Sequence, residues 1–201
     1  MPITTRVATS SDIPEAAAVL AEAFADDPLM TAIWPDQRLR HNALPRYFTA
    51  SLRHFHIPRG GVRLATGING TIAAVAVWDP PGQWENNLTT TVRALPDLLP
   101  ALRTRAAAAI TIRRTLDQRH PHKPEHWYLV NIGTTQKARG QGYAARLITE
   151  RLTAEASTRA YLVCTHADNL TYYAQFGFTV TESFVLPAGR NPAMWAMALN
   201  M

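Results

Sequence analysis

A strand, a glycine-containing loop and a helix follow one another from residue 127, and this unit constrains the fold of the 201-residue chain more than any other segment. Residues 127–132 form a mainly apolar run, which predicts a buried strand. The helix that begins at Tyr143 places apolar residues such as Ile148 and Leu152 on one face, so it can cover a sheet. Such a unit is typical of proteins whose sheet is flanked by helices.

The loop between this strand and helix has the composition of an anion-binding site. Backbone N–H groups at a helix start are unpaired and lie at the positive end of the helix dipole, so they attract anions. Glycines on either side of Gln141 remove the Cβ atoms that would keep a pyrophosphate away. The spacing lacks the third glycine of a dinucleotide-binding turn and the Lys-Ser/Thr of a P-loop. An ordinary tight turn also favours glycine, so the loop alone leaves both interpretations open.

The rest of the chain alternates between predicted strands and helices in the order β-α-α-β-β-α-β-α-β-α-β-β. Asn69 and Gly70 predict the turn of an early antiparallel hairpin, whereas the later strands alternate with helices, so we expect a mixed α/β sheet. Pro96 and Pro100 should divide the helical region 88–116 into two pieces. With 47% hydrophobic residues the chain can bury one substantial core, and we expect a single domain over residues 1–201.

Composition narrows the class of protein. Cys164 is the single cysteine and no apolar run reaches membrane-spanning length, so we expect a cytoplasmic protein with no membrane partner. The net charge is +5, but the arginines of the middle region alternate with apolar residues, which indicates a solvated helix face and no nucleic-acid partner. No His, Cys or Asp cluster has metal-ligand spacing, so we predict no metal. These arginines are Arg103, Arg105, Arg113, Arg114 and Arg119.

Two motifs carry a resemblance to a known family. Residues 139–144 read RGQGYA and fit the pattern R/Q-x-x-G-x-G/A, while residues 169–178 fit N-x-x-x-Y-x-x-x-G-F. With these motifs the chain resembles the GNAT superfamily of acyl-CoA-dependent N-acetyltransferases. Residues 23–28 (AFADDP) and 74–78 (AVAVW) are similar to the branch that contains puromycin N-acetyltransferase.

The resemblance implies a GNAT-type fold, with a central twisted mixed sheet of about six to seven strands. Strands 127–134 and 161–165 would separate to form the cleft for acetyl-CoA. Asn169 would hold the cofactor arm, although capping of the next helix competes for its side chain. The implied cofactor-binding residues are Ile132, Gly133, Thr134, Arg139, Gly140, Gln141, Gly142, Tyr143, Ala144, Asn169 and Tyr173.

The resemblance also implies catalytic roles. Tyr173 aligns with the tyrosine that donates a proton to the thiolate leaving group. The alternative is that Tyr173 is a buried ring packed on Phe176, because only one of the adjacent Tyr172 and Tyr173 is expected to face the cleft.

Relatives carry an acidic residue in the segment where this chain has Val163. A water chain that ends on Asp27, Asp26 or Glu85 could then serve as the base. Asp27 is the leading candidate, although Asp-Asp-Pro is also an ordinary turn that ends a helix.

The acceptor site is expected opposite the cofactor, where aromatic side chains would supply a flat apolar surface. The candidates are Phe24, Trp34, Trp78 and Trp84, although Trp34 and Trp78 could equally be core residues and Trp84 is expected to be exposed. His126 and His166 are expected to be surface residues at strand ends.

These observations predict an N-acetyltransferase that moves acetyl from acetyl-CoA to a primary amine of a small molecule, with an aminonucleoside-like antibiotic, and hence antibiotic resistance, as one candidate. A protein or peptide amine is an alternative acceptor. A second alternative is a catalytically silent acyl-CoA-binding regulator. We expect a monomer or a homodimer.

Overall fold

In the computed structural model, which describes residues 3–67, 69–155 and 157–201, seven strands of the described residues form one mixed sheet. The order across the sheet is β1-β2-β3-β4-β5-β7-β6, and the pair β4–β5 is parallel while the other neighbouring pairs are antiparallel. The mixed sheet predicted from the sequence is confirmed. The strands are β1 Thr4–Val7, β2 Val62–Thr66, β3 Ile72–Asp79, β4 Trp127–Thr134, β5 Ala160–Cys164, β6 Thr179–Val185 and β7 Ala193–Leu199.

Helices cover both faces of this sheet. They are α1 Ile13–Ala23, α2 Pro28–Ile33, α3 Gln37–Ser51, α4 Leu88–Leu102, α5 Ala106–Asp117, α6 Tyr143–Thr153 and α7 Leu170–Ala174. A π-helical turn, Leu52–His56, extends α3. None of the helices among the described residues is long and apolar enough to cross a membrane.

The sequence did not predict α2, because Asp27-Pro28 was interpreted as the end of α1. Proline is well suited to the first position of a helix, where its missing N–H would be unpaired anyway. Asp27 precedes it and accepts hydrogen bonds from the backbone N–H groups of Leu29 and Met30. The same residues therefore end one helix and begin the next.

The position of the break in the middle helical region was also predicted wrongly. Pro96 and Pro100 lie inside α4, and the break comes after them at a short 3₁₀ segment, Arg103–Arg105. Each proline removes one backbone N–H that would bond four residues back. The affected carbonyls belong to Val92 and Pro96, which are both exposed, so the helix tolerates the loss.

Strand β3 forms the centre of the core and is buried at all eight positions. Its successive side chains point to opposite faces, so Val75 and Val77 join one hydrophobic cluster while Ala74 and Ala76 join the other. The first cluster packs against α1, α2 and α3, and the second packs against α6. Both faces of the sheet are therefore closed by helices.

Strands β4 and β5 separate along their length. They pair at Trp127, Tyr128 and Leu129 of β4, and from Val130 onward β4 pairs with β3 alone. The register between β3 and β4 shifts by one residue next to Val130, which is a β-bulge. The side of β4 that faces β5 is consequently open from Val130 to Thr134.

Candidate active site

A cavity of about 1430 Å³ begins where β4 and β5 separate. It extends from the loop before α6, past α7 and the end of β5, to the inner faces of α4 and α5. Pockets for single small molecules are commonly about 300–1,000 Å³. This cavity can therefore hold a long ligand together with a second one.

The loop before α6 presents backbone donors to one end of the cavity. Gly140 and Gly142 have φ angles of 75° and 84°, a left-handed conformation that favours glycine. The first hydrogen bond within the helix runs from the N–H of Arg146 to Gly142, so the N–H groups of Tyr143, Ala144 and Ala145 have no acceptor inside the helix. All three residues line the cavity, as Arg139, Gly140 and Gly142 do.

This end of the cavity fits an anionic group. A Cβ built on Gly140 would meet no atom of the described residues within 4 Å, so the space next to this backbone is free for a ligand. Unpaired N–H groups and the positive end of the α6 dipole would stabilise a pyrophosphate there. Gln141, which the sequence analysis included among the cofactor-binding residues, does not line the cavity, and its backbone N–H donates to the carbonyl oxygen of Ala138 at 3.3 Å.

The open stretch of β4 continues this surface. Ile132, Gly133 and Thr134 line the cavity on the part of β4 that has no strand partner on the β5 side. Unpaired strand edges bind extended ligands through their backbone N–H and C=O groups. Gly133 also lets α1 pack closely, because a Cβ there would lie 2.8 Å from the Cβ of Ala23.

Asn169 stands across the cavity from β4. It is the residue before α7, but its side chain makes no capping hydrogen bond with the helix. The side chain is exposed and lines the cavity, so it is free to bind a ligand. The capping role that the sequence left open is therefore not observed.

Tyr173 and Tyr172 both line the cavity, so the expectation that only one of them can face it was wrong. Tyr172 packs against Phe176, with ring centroids 5.3 Å apart, whereas Tyr173 packs against Phe178 at 6.3 Å. Burial raises the pKa of Tyr173 well above its ordinary value, and nearby Cys164 adds to the effect. The phenol is consequently protonated at neutral pH and able to donate.

Asp27 lies in the same part of the cavity, and its carboxylate already accepts three hydrogen bonds. One oxygen accepts from the N–H groups of Leu29 and Met30 at 2.9 and 3.1 Å, and the other accepts from the hydroxyl of Thr165 at 2.5 Å. Burial raises the pKa of Asp27, while these donors oppose the rise. Asp27 therefore caps the start of α2, whereas the alternative that the sequence offered was a turn that ends a helix.

The far half of the cavity is mainly apolar. Its wall comes from one face of α4, which includes Leu95 and Leu99, and from α5, which includes Ile110. These three side chains are 40%, 49% and 52% exposed, so they are not packed into the core. Phe24 and Trp84 also line this cavity. Trp84 is buried, in contrast to the exposed position predicted for it, and stacks on His120 with ring centroids 3.9 Å apart.

The other two aromatic candidates for the acceptor site are core residues. Trp34 is 2% exposed and its indole N–H donates to the carbonyl oxygen of Ala101 at 3.2 Å. Trp78 is fully buried near the end of β3. Neither side chain lines the cavity, because both large rings serve to fill the space between sheet and helices.

His126 is buried, in contrast to the surface position predicted for it. It is 3% exposed and forms a pair with His120, which is 5% exposed, across a 3.0 Å contact between the two Nε2 atoms. The Nδ1 of His126 lies 2.8 Å from the carbonyl oxygen of Pro124, so this nitrogen carries a proton and Nε2 is the acceptor. His120 therefore donates to His126, and both rings are neutral.

This buried pair predicts a loss of stability in mild acid. Burial lowers the pKa of His120 from 6.5 to about 3. Between pH 6.5 and 3, His120 is protonated in the unfolded chain but neutral in the folded protein. The free energy of unfolding therefore decreases as the pH falls through this range, by at most about 1.4 kcal/mol per pH unit. We expect the free energy of unfolding in urea to fall between pH 7 and 5.5, and to fall less in His120→Phe. Replacement of the exposed His41 by Phe is the control and should leave the pH dependence unchanged. If the free energy of unfolding of His120→Phe falls with pH as steeply as that of the wild type, the buried His120 is not the cause of the loss.

The sequence did not predict the polar pairs found at the cavity, and it placed Arg113 on a solvated helix face although Arg113 lines the cavity. Arg113 pairs with Asp117 at 2.7 Å near Tyr128, and His56 lies next to Asp79. His56 and Asp79 come from separate elements, so no local pattern brings them together, whereas Arg113 and Asp117 are four residues apart on α5, a spacing at which helix side chains pair. His56 ends a helix and Asp79 ends a strand, and no sequence motif of fixed spacing links the two residues.

The fold and the cavity together define an acyltransferase of the N-acetyltransferase class, and comparison with known proteins agrees. A Corynebacterium glutamicum structure named as a histone acetyltransferase HPA2 and related acetyltransferase is 26% identical, with 98% of this chain and 96% of that chain covered and a TM-score of 0.76. An uncharacterized N-acetyltransferase of Schizosaccharomyces pombe is 26% identical over 199 residues, which cover 88% of this chain and 74% of the relative.

A structure of arylalkylamine N-acetyltransferase 2 from Aedes aegypti superposes over the full length of both chains with a TM-score of 0.63, and at 14% identity it supports the fold alone. No protein-family model matches the chain. The GNAT-type fold predicted from the sequence is confirmed, and the comparisons support the GNAT superfamily of N-acetyltransferases. None of these relatives is named as a puromycin N-acetyltransferase.

Among the residues that the structure describes, no group of three or more His, Cys, Asp or Glu side chains could hold a metal ion. The donor set of the cavity suits acetyl-CoA instead. Backbone N–H groups, an open strand edge and an uncapped Asn169 side chain all line this cavity.

Proposed function

We propose that this protein transfers an acetyl group from acetyl-CoA to the primary amine of a small molecule. The observation that carries the proposal is the separation of β4 from β5, which joins the anion-binding loop, Tyr173 and an apolar chamber in one cavity. Acetyl-CoA supplies an activated thioester, with its pyrophosphate on the cavity-lining residues of the glycine loop and of the first turn of α6, and its arm between β4 and Asn169.

In this proposal Tyr173 is the general acid. As the amine nitrogen bonds to the carbonyl carbon and the C–S bond breaks, Tyr173 donates its phenolic proton to the departing sulfur. A protonated phenol is required for this role, and burial of Tyr173 keeps it protonated at neutral pH. The side chain lies at the end of β5, next to Cys164 and Asp27.

Asp27 was the candidate base, but its oxygens are committed to Leu29, Met30 and Thr165. A carboxylate that accepts three hydrogen bonds would have to break some of them to take a proton. We propose that Asp27 holds the start of α2 in place beside the cavity and contributes negative charge near the acceptor amine.

The acceptor in this proposal is an amine that carries an apolar body. The carboxylate of Asp27 lines the cavity near Tyr173, whereas Leu95, Leu99 and Ile110 line its far half. An aminonucleoside-like antibiotic, as in the puromycin N-acetyltransferase branch, has this combination of an amine and an aromatic body. We further propose a cytoplasmic protein that acts as a monomer or homodimer.

The apolar wall predicts that catalytic efficiency rises with the size of the acceptor. For a series of straight-chain primary amines, kcat/KM should increase by roughly threefold to fourfold per methylene group until the chamber is filled. Leu99→Gln should reduce this increase. Leu88→Gln is the matched control, because Leu88 is an exposed leucine of the same helix that does not line the cavity. Equal kcat/KM values for short and long amines would contradict the proposal that this apolar wall contacts the acceptor.

The proposal is tested against its alternatives by following thiol release from acetyl-CoA with small amines, with peptides that carry a free α-amine or lysine, and with no acceptor. Turnover that favours small apolar amines supports the proposal. Turnover restricted to peptides would indicate a protein acceptor. Tight acetyl-CoA binding without turnover on any amine would indicate a silent regulator and overturn the proposed activity.

A further inference from the structure

A histidine–aspartate pair lies at the acceptor side of the cavity and has no role in the steps above. His56 ends the π-helical turn Leu52–His56, and Asp79 is the last residue of β3. The two side chains are 8% and 3% exposed, respectively. The Nδ1 of His56 lies 2.8 Å from Oδ1 of Asp79. Turns of π-helix are frequent at functional sites, because the wider turn redirects a side chain.

The arrangement leaves one nitrogen of His56 free. Asp79 also contacts the Nη1 atom of Arg59 at 3.0 Å. When the Nδ1 of His56 donates to Asp79, Nε2 is the nitrogen that can accept a proton. Nε2 has no hydrogen-bond partner among the described residues and is not one of the fully enclosed atoms, and His56 lines the cavity. Nε2 is therefore accessible from the cavity.

The sheet register places this pair close to the open part of β4. Asp79 is paired with Tyr128, and β4 loses its β5 partner two residues later at Val130, about 7 Å further along the strand. Tyr173 lies on the opposite side of the opening, on α7 beyond β5. A base on one side and an acid on the other match the two proton transfers that amide formation requires.

We propose that His56, oriented by Asp79, is the catalytic base that takes a proton from the acceptor ammonium. This inference rests on the proposed acetyl transfer. Nε2 accepts one proton from the ammonium and later releases it to water. The neutral nitrogen then bonds to the acetyl carbon, the C–S bond breaks, and the sulfur takes the proton of Tyr173. The second proton of the nitrogen returns to the Tyr173 phenolate, so one proton is released overall.

The test compares two acceptors of nearly equal shape. One is a phenylalkylamine that is charged at the assay pH. The other is an analogue with fluorine atoms on the carbon next to the amine-bearing carbon, and because fluorine lowers the basicity of the amine, this analogue is largely neutral at the same pH. His56→Gln keeps a donor for Asp79 but cannot act as a base. We expect kcat/KM to fall about 100-fold for the charged amine and less than about threefold for the neutral one. A structural defect would affect both amines equally.

His54→Gln is the matched control. His54 belongs to the same turn and contacts a carboxylate, Asp97, at 2.7 Å, but it does not line the cavity. Its replacement should leave both amines unaffected. If His56→Gln fails to fold, Asp79→Asn replaces it, and a smaller loss with the same selectivity for the charged amine is expected. Equal losses for both amines, or none, would overturn the role of His56 while leaving the acetyl transfer intact. A wild-type protein without turnover on any amine would overturn both.

Discussion

Replacement of Tyr173 by phenylalanine is expected to lower kcat by about 100-fold or more while acetyl-CoA binds as before. A general acid typically contributes about 10²–10⁴-fold to the rate. Phenylalanine keeps the packing on Phe178 and removes only the hydroxyl that would protonate the leaving sulfur. The measurement is thiol release at saturating acetyl-CoA, with binding of acetyl-CoA followed by calorimetry.

Tyr172 provides the control for this experiment. It is adjacent in sequence and also lines the cavity, and burial raises its pKa to about 12. Tyr172→Phe should change kcat by less than about threefold. If both variants lose activity equally, or if Tyr173→Phe is as active as the wild type, Tyr173 is not the acid.

Replacement of Gly140 by valine is expected to weaken acetyl-CoA binding by about tenfold to 100-fold. Gly140 has a φ of 75°, where a β-branched residue is strained, and its side chain would enter space that no protein atom occupies. This space lies beside the N–H groups that would bind the pyrophosphate. Calorimetric titration with acetyl-CoA measures the effect directly.

Gly60→Val separates loss of the binding site from backbone strain. Gly60 has a φ of 70°, and a Cβ there would also meet nothing within 4 Å, but it does not line the cavity. Both variants should lower the free energy of unfolding to a similar extent, whereas Gly60→Val should bind acetyl-CoA within about twofold of the wild type. Equal affinities in the two variants would argue against a pyrophosphate at this loop.

Local patterns in the sequence predicted the strand–loop–helix unit well. The apolar run at β4, the two glycines and the amphipathic α6 all lie within 27 residues, Trp127–Thr153, so short-range periodicity and turn chemistry were sufficient. The seven strands were predicted in the correct order for the same reason. The boundary at Pro28 was missed because proline both ends and begins helices.

Burial and long-range pairing could not be predicted in this way. The sequence does not distinguish Trp34, Trp78 and Trp84, because all three are tryptophans in candidate acceptor segments. Only the tertiary packing shows that Trp84 lines the cavity while Trp34 and Trp78 lie in the core. His126 follows a polar connector in the sequence, yet the chain folds it onto His120. His56 and Asp79 are 23 residues apart, and only the hairpin of β2 and β3 brings them together.

The central claim is that one cavity holds acetyl-CoA and passes its acetyl group to an amine. It is tested most directly by mixing the protein with isotopically labelled acetyl-CoA and a phenylalkylamine, and by measuring the mass of the amine product. The account predicts one labelled acetyl group on the amine and a matching amount of free thiol, with both lost in Tyr173→Phe. Tight binding of acetyl-CoA with no labelled amine, from this acceptor or any other, would contradict it.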